Sequence, residues 1–229
     1  MQQKYIPKFA YVSLVGAVVA GLLGLNPIQP AVAASKTVTL VSHDSFVISA
    51  AQIALFKKQT GLDLKLVKAG DAGTMLNKLI LTKNKPIADA VFGIDTTLRN
   101  AALDAKVVAS GRLTAIDYGD VCFNYDRQWF MQARTVVPTS WKQLTDAKYR
   151  GMTVIENPNT SSTGLAFLAT TVAAFGADYG KFWRALKAND VKVAAGWEDA
   201  YYTDFSGSSG KGDRPIVLSY SSSPADEVR

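Results

Sequence analysis

The sequence has a single cysteine, Cys122, and a single histidine, His43. One cysteine cannot close an internal disulfide, so an exported form of this chain must be held by an ordinary apolar core. No cysteine precedes residue 122, which excludes lipidation at a leader cysteine. Long runs of like charge are also missing. The 25 basic and 19 acidic residues are scattered, and such a mild excess without a basic stripe argues against a nucleic-acid surface. No internal repeat is apparent, and only one stretch of the chain is apolar over a length that approaches a bilayer span.

That stretch lies at the start. Lys4 and Lys8 flank an apolar run from Phe9 to Leu25, and Ala31-Val32-Ala33 supplies the small residues of a cleavage site, which together read as a secretory signal over residues 1–34. An uncleaved anchor is the alternative, since about 17 apolar residues fall just under a membrane span; Pro27, Pro30 and the small residues favour removal. Loss of Lys4 and Lys8 lowers the formal charge of +6 by two. The remaining residues, about 195 of them, suffice for one large or two small domains, and the mature part is expected to be soluble and extracytoplasmic.

Beyond the leader, strand and helix signals alternate. Thr37 to Val41 is a β-branched run, and Ile48 to Thr60 has helical spacing with Gly61 as a stop. Leu62 to Val67 alternates as a half-buried strand, Met75, Leu76, Leu79 and Ile80 form one face of a helix beginning near Thr74, and Ala88 to Gly93 reads as a third strand. This pattern predicts right-handed βαβ units around a mostly parallel sheet, the first α/β lobe, over residues 35–120. A second set, over 121–229, begins with the strand Val121 to Tyr125 and continues through a short helix opened by Pro138-Thr139-Ser140-Trp141. The strand Met152 to Ile155, the polar turn Asn157 to Gly164, helices over 165–175 and 179–187, a flexible loop at 206–212 and a last strand, Ile216 to Tyr220, complete it.

Four segments carry a resemblance: Asp44-Ser45-Phe46; Leu66-Val67 through Asp71 with Leu76-Asn77-Lys78-Leu79; Thr160 to Leu165; and Gly196-Trp197 with Leu218 to Pro224. In order and spacing these resemble the thiamine-binding periplasmic proteins, within the solute-binding proteins of ABC importers. The resemblance implies an α/β, two-lobed, periplasmic-binding-protein-like (type II) fold that binds thiamine or a thiamine phosphate between its lobes. It also implies a monomer that delivers its ligand to an ABC permease and ATPase at the membrane, without catalysis, cofactor or metal. The ligand residues it implies are Asp71 with Ala72, Ser161 with Ser162, Trp197, and Tyr220 with Ser221, Ser222 and Ser223. Departures are visible too. Ala72 stands where glycine is common, the stretch 107–117 is shorter, the loop 206–214 is longer, and the family's final third has no counterpart, so the second lobe is expected to be incomplete.

The residue types suit that ligand. Thiamine is a permanent cation with a flat aminopyrimidine ring; Trp197 and Tyr220 offer aromatic faces, a contact worth roughly 0.5 to 2 kcal/mol, or else belong to an ordinary core. Asp71 sits where a helix cap is needed, worth about 1 kcal/mol, and equally at the strand ends where open α/β sheets bind ligands. Ser161, Ser162 and Thr163 precede an apolar helix, so their hydroxyls and the first free N–H groups suit a hydroxyl or phosphate end, with one of them capping.

Three segments bear on other chemistries. His43-Asp44-Ser45 holds the residue types of a hydrolase triad, but successive strand residues face opposite ways; His43 is read as a strand-end polar residue near the cleft. Cys122 brings to mind type I thiaminases, which are similar in fold, but it sits in an apolar strand with no histidine near in sequence to activate it. Tyr201-Tyr202 resembles the paired tyrosines of ferric-binding relatives, for which Glu198, Asp199 and His43 are the only candidate further ligands.

Overall fold

Two sheets organise the chain. The computed structural model describes residues 36–108, 112–208 and 212–227; the expected leader and the centre of the loop at 206–212 lie outside the described residues. The first sheet joins β1 (Thr37–Ser42), β2 (Asp63–Lys68) and β3 (Ala90–Phe92) in the order β2-β1-β3, all parallel, with Val41 opposite both Val67 and Val91. Parallel neighbours cannot be joined by a tight hairpin, so helices must cross between them. Here they are α1 (Ala50–Thr60) and α2 (Ala72–Leu81).

The two crossover helices are stabilised differently. In α1 the hydroxyl of Ser49 accepts from the Gln52 N–H, the Gln52 side chain accepts from the Ser49 N–H, and Gly61 closes the other end at φ 72°. Yet α1 buries no residue, and Leu55 is half exposed. The apolar spacing expected over 48–60 therefore forms the helix without finding a core, and the caps carry much of its stability. Helix α2 is the reverse case: Ala72, Met75 and Leu76 are buried, and Leu79 and Ile80 pack around them. It starts at Ala72 rather than near Thr74 because Asp71 turns into the helix and its Oδ1 accepts from the Ala72 N–H at 2.6 Å.

The second sheet runs β4-β7-β5-β6, from β4 (Val121–Tyr125), β5 (Thr153–Glu156), β6 (Lys192–Ala194) and β7 (Ile216–Tyr220). Only β4, at the edge, is antiparallel. One face packs Ile155, Ile216 and Leu218 against Phe167 and Phe182 of α5 (Ser162–Phe175) and α6 (Tyr179–Ala188), forming the largest core. The other packs Val154, Val217 and Ala194 against Tyr201 and Phe205, on and just after a π-helical turn at Asp199–Asp204. Side chains alternate along a strand, so Glu156 shares the face of Val154, and Ser219 that of Val217.

Several short elements had no counterpart in the sequence reading: α3 (Arg99–Asp104), α4 (Arg127–Gln132), β6, the π-helical turn and α7 (Ser223–Asp226). Each is too brief to show a period of its own. Only α4 carries a side-chain cap as a signal, Asp126 accepting from the Trp129 N–H at 3.0 Å. Residues Ser35–Arg229 form one compact unit.

Candidate functional site

Helix α2 opens against the second sheet. Its first turn has main-chain donors without partners inside the helix, and two of them, the N–H groups of Gly73 and Thr74, donate to the carbonyl of Thr160 at 2.9 and 3.3 Å. The approach requires glycine: a Cβ on Gly73 would lie 2.8 Å from the Asn159 carbonyl oxygen and 2.9 Å from that of Thr160. Thr160 is fixed in turn by its hydroxyl, which donates to the Ala195 carbonyl at 2.6 Å.

Asp71 works in two directions from this point. While Oδ1 caps α2, Oδ2 accepts from the main-chain N–H of Trp197 at 2.8 Å. Gly196 makes room, since a Cβ there would sit 3.3 Å from the Asp71 carboxylate. The Trp197 indole N–H donates to Ser219 Oγ at 2.8 Å, and Ser219 Oγ pairs with Ser223 Oγ at 2.8 Å. The indole lies flat on Tyr201, centroids 4.8 Å apart and planes 12° from parallel, and meets Tyr202 edge-on at 5.4 Å. Hydrogen bonds at both ends and a ring beneath thus hold Trp197 half-buried in one orientation.

Asp71 and Trp197 line one opening of about 230 Å³, together with Asp44, Ser45, Gly70, Thr74, Ala195, Gly196, Glu198 and Asp199. Its lining holds four carboxylates and no basic side chain. Asp44 is positioned by the Gly70 N–H, which donates to its Oδ1 at 2.8 Å. The chemistry on offer is therefore a negative field beside an aromatic face, which suits a cation with a flat apolar part.

The remaining candidates lie around this opening rather than in its lining. Ala72 is buried as the first residue of α2. Ser161 stands at the N-cap position of α5 but makes no side-chain capping bond. Its hydroxyl pairs with Thr163 Oγ1 at 2.9 Å, and Thr163 donates to Glu156 Oε2 at 2.8 Å. The expected capping by a hydroxyl is thus replaced by a side-chain relay. The helix also starts at Ser162, earlier than the expected 165. Ser162 Oγ and the Tyr220 hydroxyl are 3.3 Å apart, and burial raises the Tyr220 phenol above its ordinary value, with Asp95, Asp71 and Glu156 adding to the rise. Ser223 is buried against Ser219, whereas Ser221 and Ser222 are exposed.

Two residues that the sequence reading passed over belong here. Ser219 anchors the indole. Glu156, at the end of β5, is fully buried, and its Oε1 has no hydrogen-bond partner among the described residues. Burial pushes its carboxyl up to about 8, the field of Asp71 adds to the rise, and the Thr163 hydroxyl opposes it. A polar residue ending a strand gives no sequence sign of such burial.

His43 Nδ1 and Ser45 Oγ are 2.9 Å apart, because the chain turns just past β1 and folds Ser45 back on the ring. Strand alternation therefore does not separate them as expected. Asp44 faces the Gly70 N–H instead, and burial lowers the imidazole below its ordinary value. Cys122 lies 3.5 Å from the Asn124 side-chain oxygen, and burial raises its thiol. Tyr201 is buried beneath Trp197, its ring edge-on to that of Tyr202 at 5.4 Å.

Comparison with known proteins agrees with the fold. Residues 88–227 match the family described as bacterial extracellular solute-binding protein. The thiamine-binding periplasmic protein of Brucella suis is 28% identical over 224 residues, covering 89% of this chain and 64% of its own. That of Salmonella typhimurium is 29% identical over 215 residues, covering 85% and 63%. Among solved structures, a periplasmic thiamin binding protein superposes with a TM-score of 0.67 at 27% identity, over 82% of this chain and 63% of that one. The chain thus spans just under two thirds of the length of these relatives, and the α/β, two-lobed, periplasmic-binding-protein-like architecture is the one expected.

Proposed function

Because the chain belongs to the bacterial extracellular solute-binding protein family, we propose that it captures thiamine or a thiamine phosphate outside the cytoplasm for an ABC importer. The observation that carries this reading is the opening walled by Asp71 and Trp197, with four carboxylates and no basic lining residue. Its volume, about 230 Å³, lies under the ~300 Å³ at which small-molecule sites begin, so it takes part of such a ligand rather than all of it. The thiazolium faces the carboxylates, and the aminopyrimidine has the Trp197 ring at hand. A phosphate would be repelled by the acids; the Ser162 and Tyr220 hydroxyls and the first turn of α5 give the hydroxyethyl or phosphate end a place away from them.

Capture is by closure: the ligand touches residues of both sheets, Asp71 from the first and Trp197 from the second, and stabilises the arrangement in which both contacts exist. No bond is broken. The raised thiol of Cys122 supports a binder over a cysteine-dependent enzyme. The burial of Tyr201 in an apolar cluster speaks against the iron reading. The names of the Brucella and Salmonella relatives support thiamine and a periplasmic location. The domain limits proposed are 35–120 and 121–229, and the partners proposed are a permease and its ATPase, met by a monomer.

Tryptophan fluorescence tests the ligand. Thiamine should quench the emission of the wild-type chain saturably and that of Trp197→Phe much less, while ferric citrate should give no visible charge-transfer band. A band with iron and no response to thiamine would overturn the reading.

A further inference from the structure

Asp44 and Ser45 stand side by side in the lining of the opening, on a turn held from several directions. The Phe46 N–H donates to the His43 carbonyl at 3.2 Å and closes the turn. Asp44 and Gly70 exchange two bonds: the Asp44 N–H donates to the Gly70 carbonyl at 3.1 Å, and the Gly70 N–H donates to Asp44 Oδ1 at 2.8 Å. The Lys68 ammonium group donates to the Asp44 carbonyl. One carboxylate oxygen of Asp44 is therefore fixed by the main chain, while Oδ2 has no hydrogen bond among the described residues.

Ser45 is fixed by His43. The imidazole is wedged against Gly93, where its Cδ2 leaves no room for a Cβ, and between Phe46, edge-on at 6.4 Å, and Phe92 at 6.0 Å. The ring cannot turn, so Nδ1 stays 2.9 Å from Ser45 Oγ. Burial holds the imidazole below its ordinary value; Asp71, Asp44 and Asp117 oppose this and Lys68 adds to it. At neutral pH the ring is thus uncharged and carries one N–H. The four carboxylates of the opening turn a hydroxyl dipole with its hydrogen toward them. That orientation assigns the Nδ1 proton to the bond with Oγ and leaves the Ser45 O–H for a ligand.

The turn thus presents an acceptor, Asp44 Oδ2, next to a donor, the Ser45 hydroxyl. An aminopyrimidine carries the complementary edge, an amino N–H beside a ring nitrogen that accepts. We propose that Asp44 and Ser45 recognise this edge of the ligand, Asp44 Oδ2 accepting from the amino group and Ser45 donating to the adjacent ring nitrogen, with His43 as the residue that positions Ser45. The inference deepens the binding reading above and rests on it. It gives the opening a selectivity that charge and stacking alone do not. An analogue with a ring carbonyl in place of the amino group sets an acceptor against the Asp44 carboxylate, with no hydrogen between them, and a polar pair left unmatched in this way is costly.

Calorimetric titration of the full chain at neutral pH with thiamine and two analogues tests this. The wild type should bind the carbonyl analogue at least about tenfold more weakly than thiamine. It should bind an analogue with CH in place of the adjacent ring nitrogen about three- to tenfold more weakly. Ser45→Ala should lose that second preference, binding thiamine and the CH analogue alike. His43→Phe should behave as Ser45→Ala does, whereas His43→Asn, whose amide N–H stands near the place of Nδ1, should keep the preference. In Asp44→Asn the Gly70 N–H claims the amide oxygen and turns the NH2 to the ligand, so the preference for thiamine over the carbonyl analogue should vanish or reverse. Equal binding of thiamine and both analogues by the wild type would overturn the proposal and leave the binding function standing, and this holds even if a variant fails to fold. A full preference over the CH analogue in Ser45→Ala would also overturn it, and the same result in His43→Phe would overturn the positioning role. Absence of any thiamine binding to the wild type would overturn both readings.

Discussion

The carboxylate of Asp71 and the main-chain N–H of Trp197, 126 residues apart in sequence, are hydrogen-bonded at 2.8 Å. One oxygen caps a helix of the first sheet and the other holds the aromatic residue of the second. In the proposed reading, ligand recognition and the joining of the two halves share this side chain.

Asp71→Asn retains a side-chain oxygen but loses the charge. A hydrogen bond to a charged group contributes about 1.5–3 kcal/mol, so thiamine affinity should fall about tenfold or more, and because one of the two main-chain N–H groups that Asp71 accepts from then faces an amide NH2, some thermal stability should be lost as well. Asp71→Ala, which removes both acceptors and with them the cap, should lose at least the same affinity. Titration and a melting curve on each variant separate the two effects.

Gly73→Ala sets a methyl group against two carbonyl oxygens that are main chain and cannot turn aside. Overpacking of this kind costs about 1–3 kcal/mol, which for a chain of this size lowers the melting temperature by roughly 2–4 °C per kcal/mol. Gly61, where nothing lies within 4 Å but φ is 72°, is the control for backbone strain alone. Differential scanning calorimetry of both should show the Gly73 variant losing thiamine affinity as well, and the Gly61 variant retaining it.

Much of the fold was legible in the sequence because its signals are local. The β-branched run of β1, the alternation of β2 and the caps at Ser49 and Gly61 each act within a few residues, and the helices and strands they predict are present. What was not legible depends on neighbours far along the chain. The apolar spacing of α1 is genuine, but whether it finds a core is decided elsewhere, and it does not. The π-helical turn exists where Tyr201 stacks on Trp197 over the face of Val154 and Val217, a tertiary preference with no periodic trace. The cap reading of Asp71 came from its place before α2, whereas its meeting with Trp197 was implied only by family resemblance. Glu156 gave no sign at all, since its burial depends on α5 and on the opposite strand ends.

Folding stability should depend on pH through Glu156. Its carboxyl is raised from 4.5 to about 8, so the native state holds a proton that the unfolded chain gives up between those values. The associated stability is fully present below about 4.5 and is lost as pH rises through about 8. Urea midpoints should fall between pH 5 and pH 9 in the wild type, and Glu156→Gln should flatten that part of the change.

Thr163→Val removes the hydroxyl donor to Glu156 while keeping the volume. An unsatisfied buried acceptor costs about 1–3 kcal/mol, and because the lost bond had lowered the Glu156 value, the carboxyl should titrate higher still. The variant should unfold earlier in urea, and its pH-dependent loss of stability should extend to higher pH than in the wild type.

The proposed cleft holds a flat cation between a carboxylate and an indole. Calorimetric titration of thiamine into the purified chain, beside Asp71→Asn and Trp197→Ala, tests this directly. The expected result is one saturable site in the wild type, weakened tenfold or more in each variant. Equal affinity in all three proteins, or no binding to the wild type at millimolar thiamine, would contradict it.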